Sequence, residues 1–75
     1  MPLSTVISAT DIQKGDTVYL TSCDAWTRDI AVAELLGADD VDWRMAFANR
    51  LREVKNAVAI DATADKNGLA QRVAA

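Results

Sequence analysis

One helical period stands out in this sequence, and it stands alone. Trp43, Phe47, Leu51 and Val54 recur at i, i+4, i+8 and i+11, which at about 100° per residue gathers them within about 80° of arc. Asp39, Asp40 and Asp42 precede or open this stretch, where carboxylates accept bonds from the free N–H groups of a first turn and complement its positive end. Arg52 and Lys55 fall near its close, ahead of Asn56, as the negative end favours. The spacing predicts a helix over about 39–55. The segments on either side alternate with period two, so one helix must pack on a sheet.

Those flanking segments predict the strands. Thr5 to Ala9 is β-branched and short and runs into Thr10-Asp11, a turn-favouring pair. After Lys14-Gly15-Asp16, the run Thr17 to Ser22 places Val18 and Leu20 on one face and Thr17, Tyr19 and Thr21 on the other. The small polar group Ser22-Cys23-Asp24 predicts a reversal. Trp26 to about Glu34 is read as a third strand, although Ala33 to Leu36 are also good helix formers and periodicity leaves 27–36 open between strand and helix. Ala57 to Ala62 predicts a fourth strand with Val58 and Ile60 inward. Asn67-Gly68 then signals a hairpin into a short edge strand, Leu69 to Val73.

The expected architecture is α+β, an antiparallel sheet of three to five strands packed on one helix, with 1–75 as one domain. The expected core is Val6, Val18, Leu20, Ile30, Trp43, Phe47, Leu51, Val54, Val58 and Ile60. One helix covers one face, so the other face is expected to be open, which makes a homodimer or docking on a larger enzyme physically attractive. A chain of 75 residues buries only about 60% of its unfolded surface, and its lone Cys23 permits no internal disulfide. Packing, helped by a partner, has to supply the stability.

Composition excludes much chemistry. With no histidine, the commonest general base and metal ligand are both missing. The three glycines, Gly15, Gly37 and Gly68, form neither a phosphate loop nor a dinucleotide fingerprint. No catalytic residue, metal site or cofactor is expected. The aspartates at 39–42 are accounted for by the helix end, and Asp61, Asp65, Asn67 and Gly68 lack the donor pattern of a calcium loop. A net charge of −3 argues against nucleic acid and against an anionic membrane surface. The absence of a leader-like or membrane-spanning apolar run leads to an expectation of a cytoplasmic protein.

The remaining candidates are for binding. Tyr19 and Trp26 are available for contact if they alternate outward on an uncovered sheet face. Arg44, Arg52 and Lys55 fall on one side of the expected helix, flanked by Val41, Met45 and Ala48, and offer a surface to an acidic partner or a second subunit. Cys23 is the one nucleophile candidate, with Asp24 beside it and Arg28 nearby.

The run Val18-Tyr19-Leu20-Thr21, then Asp24-Ala25-Trp26-Thr27-Arg28-Asp29, then Ile30-Ala31-Val32-Ala33-Glu34-Leu35-Leu36, with Ala9-Thr10-Asp11 and Gly15-Asp16 before it, resembles a family of small bacterial proteins of unknown function. Their genes often lie beside those for sulfite reductase and other sulfate-assimilation enzymes. Such proteins often carry a glycine before the tryptophan, where this chain has Cys23-Asp24-Ala25, and an arginine-rich C-terminal stretch, here only Gln71-Arg72. The resemblance implies a non-catalytic accessory role near sulfite reduction, with sulfite reductase or a related enzyme as partner. A thiol-based sulfur carrier or redox protein using Cys23, and a structural homodimer, are the alternatives.

Overall fold

A computed structural model describes residues 4–51 and 53–73. The described residues form a five-stranded antiparallel sheet and one α-helix, in the expected α+β class. The strands are β1 (Ser4–Asp11), β2 (Thr17–Leu20), β3 (Trp26–Thr27), β4 (Val54–Ala64) and β5 (Ala70–Arg72), in the order β3-β2-β1-β4-β5. The helix α1 spans Ala38–Arg50 and makes the crossover that carries the chain from one edge of the sheet to the far side of β1.

Central β1 explains the layering, because its successive side chains point to opposite faces. Val6 packs with Tyr19, Ala62 and Ala70. Ile7 packs with Leu20, Leu36 and Ala48, and Ala9 with Val18 and Val54. The second side lies under α1. The first side, expected to be open, is roofed by the chain from Ile30 to Leu35, whose Ala33, Ile30 and Leu35 close over Val6 and Tyr19. The third strand stops at Thr27 because Asp29 caps a single 3-10 turn, Ile30–Val32, by accepting from the Ala31 N–H at 3.0 Å. Beyond it the chain is extended, and Leu36 exchanges backbone bonds with Thr5 at 2.7 and 2.9 Å. Residues 27–36 are therefore mostly neither of the two forms that periodicity left open.

The helix differs from expectation in length and in the side it buries. It ends at Arg50, with Leu51 as C-cap, because the Glu53 carbonyl accepts from the Ile12 N–H and Val54 pairs with Asp11 in the sheet. Strand pairing there outweighs the helix propensity of Leu51 to Lys55. At the other end Gly37 is the N-cap and makes no side-chain capping bond. The aspartates expected to cap instead lie inside the first turn, where they act through the helix dipole.

Arg44 and Ala48 are the buried helix residues, flanked by the partly buried Val41 and Met45. This stripe is rotated by roughly a third of a turn from the aromatic one. Trp43, expected in the core, is 57% exposed, and Val58 on β4 is exposed as well. A small Ala48 side chain lets the helix approach the sheet more closely than a tryptophan would.

β4 carries a bulge. Ser8 pairs with Val58 and Thr10 with Lys55, so three steps on β4 match two on β1, and Asn56 at φ 56 takes up the extra residue. At the far end of β4 the expected hairpin forms, closed by the Asp65 N–H donating to the Leu69 carbonyl at 2.7 Å. Gly68 supplies the positive φ of 81 that a three-residue loop of this kind requires. No helix among the described residues is long and apolar enough to cross a membrane.

Candidate binding groove

Two constructions emerge around the reversal after β2, one closed and one open. The closed one is built on Arg44. Its guanidinium donates from one Nη to the Thr21 carbonyl at 2.9 Å and from the other to Asp24 Oδ1 at 2.7 Å. Its Nε lies 3.0 Å from Glu34 Oε1, an ion pair whose N–H is not directed for a hydrogen bond. The carbon at its centre sits 5.1 Å from the ring centroids of both Trp43 and Phe47, within cation–π range.

Arg44 is 4% exposed, against 56% for Asp24 and 28% for Glu34. It clamps the reversal, the end of the roof and the helix together, and its charge is tolerated in the interior because it is paired. The turn is further held by Thr21, which accepts from the Ala25 N–H through Oγ1 at 3.1 Å, and by Asp24 at φ 63.

This corrects the reading of Arg44 as a contact residue on an exposed helix face. Lys55 is exposed, but it belongs to β4 and not to the helix, so the two do not share a side. Arg52 lies outside the described residues. Tyr19 is buried under the roof at 8% exposure and offers no contact surface either. Cys23 is exposed at the tip of the clamped reversal. Among the described residues no cluster of three or more cysteine, aspartate or glutamate side chains is placed to hold a metal ion.

The open construction is a groove of about 400 Å³ at the end of the helix-covered face. Trp26, the remaining contact candidate, lines it, half-buried on the short edge strand. Val18 and Val54 join it, Asp11, Ile12 and Gln13 come from the β1–β2 turn, and Glu53 comes from the approach to β4. The turn is pinned by Asp11, whose Oδ1 accepts from the N–H groups of Gln13 at 2.8 Å and Lys14 at 3.3 Å. Ile12 is left exposed beside the groove. The Trp26 Nε1 is buried and has no hydrogen-bond partner among the described residues.

Sequence reasoning reached Trp26 but missed Ile12, Gln13, Asp11 and Glu53. The missing signal was the pairing of Ile12 with Glu53, which no local pattern encodes.

A family model described as "Protein of unknown function (DUF2849)" matches residues 5–74. The match takes in every strand but the first residue of β1, together with the helix, and the chain belongs to that family. No curated protein and no solved structure gives a significant match.

Proposed function

We propose that this DUF2849 chain is a non-catalytic protein-binding accessory module that engages its partner through the Trp26 groove. The observation that carries the reading is a half-buried tryptophan beside the exposed Ile12 on a groove of about 400 Å³. Aromatic anchors of this kind, set in partly desolvated pockets, dominate protein interfaces. The lack of any histidine favours binding over acid–base chemistry. The resemblance of the first half to proteins encoded beside sulfite reductase makes that reductase, in the cytoplasm, the partner of choice.

The test is a titration of purified sulfite reductase with the intact chain at low salt, alongside Ile12→Glu, which changes an exposed side chain and leaves the core alone. Saturable binding that Ile12→Glu weakens at least tenfold is expected. A failure of both proteins to bind removes the reductase, and equal binding by both removes the groove.

A further inference from the structure

The lining of the Trp26 groove is of two kinds. Its apolar part is the Trp26 ring with Val18, Val54 and Ile12; its charged part is Asp11 and Glu53, and Gln13 adds an amide. Among the described residues no lysine or arginine lines the groove. Arg28, next to β3, is paired to Asp16 at 2.9 Å. Asp11 holds the turn through bonds from the backbone N–H groups of Gln13 and Lys14.

An apolar bed with an anionic rim matches a side chain that has an alkyl stem and a cationic head. Such side chains lay the stem along apolar surface and keep the head at the polar edge, and a guanidinium also stacks on an aromatic face. A carboxylate-bearing or purely apolar side chain gains only one half of this lining.

We infer that the groove receives an arginine side chain from the partner protein, with the stem against Val18, Val54 and the Trp26 ring and the guanidinium toward Glu53 and Asp11. This rests on the protein-binding reading of the same groove. It adds the chemistry of the residue that enters, and with it a salt dependence that an apolar contact lacks.

The experiment is an NMR titration of the intact chain with three capped tripeptides, glycine flanking arginine, leucine or glutamate, and with spermidine as a fourth arm. The two indole N–H signals are assigned through Trp43→Phe, and Glu53→Gln is measured in parallel, since that side chain is exposed and its replacement keeps the shape. The arginine peptide should shift the Trp26 indole signal in a saturable way, the leucine and glutamate peptides should not, and Glu53→Gln should weaken the response roughly threefold or more.

No shift with the arginine peptide, an equal shift with the leucine peptide, or a response to spermidine alone each overturns the inference. So does an unchanged response in Glu53→Gln. Because the proposed partner is absent from this experiment, its failure leaves the reductase titration standing, and failure of that titration leaves this result standing.

Discussion

The two faces of the sheet are covered by very different kinds of chain. The face holding Ile7, Leu20, Ala9 and Val18 lies under a thirteen-residue helix. The face holding Val6, Tyr19 and Ala70 lies under one 3-10 turn and an extended strip. The helix satisfies its own backbone and can press a regular surface on the sheet. The strip must find partners elsewhere, and it does so through the Thr5–Leu36 exchange and the bond from the Glu34 N–H to the Leu20 carbonyl at 3.0 Å. The difference teaches that this small domain closes a second core face with borrowed backbone bonds in place of a second helix. Arg44 joins the two covers, since it is rooted in the helix and reaches both Glu34 at the strip's end and Asp24 in the reversal.

Breaking that joint should give the largest effect. Arg44→Ala removes a buried cation and leaves the Thr21 carbonyl and Glu34 without it, at an expected cost of about 3 kcal/mol, read from the urea midpoint at constant slope. A loss below about 1 kcal/mol would mean the covers hold independently. Overpacking compares the covers directly. Ala48→Leu forces a methylene-rich side chain between helix and sheet and should cost about 2 kcal/mol. Ala33→Leu makes the same change under the strip, which can shift outward, and should cost less than about 1 kcal/mol by the same urea measurement.

The smallest effect sharpens the comparison by improving the helix alone. Gly37 is an extended N-cap at φ −79 with nothing within 4 Å of an added Cβ. Gly37→Ser should therefore stabilise by about 0.5 kcal/mol, through a capping bond and a less flexible unfolded chain. The gain should appear in amide-exchange protection of α1 and not of the strip.

Local patterns made four of the strands and the turns legible, but not the third strand, which was read to about Glu34 and stops at Thr27. β-branched alternation marked β1 and β2, the polar reversal at 22–24 was where it was expected, and Asn67-Gly68 marked the hairpin. The helix was legible as an element but not in orientation. Its aromatic stripe is the larger apolar surface, yet Arg44 and Ala48 face the core, because small size and a paired charge matter at a close helix–sheet contact and neither is visible to a hydrophobicity count. The roof was illegible for a related reason, since its stability lies in bonds to Thr5 and Leu20 far along the chain. The groove was half-legible, with Trp26 named from sequence and the turn residues around it assembled only by tertiary pairing.

Asn56 has a consequence for how this chain tolerates changes in length. The extra residue acts as a phase shift in β4, placing Val54 on the helix-covered side with Ala9 and Val18 and leaving Lys55 exposed. Removing that one residue would leave two steps on β4 opposite two on β1, a regular ladder in which Lys55 still pairs with Thr10 and Val54 with Asp11. Both would keep their present facing, whereas flattening the bulge with Asn56 retained would turn Lys55 toward the helix-covered core. At this point of the chain a missing residue does less harm than a straightened one.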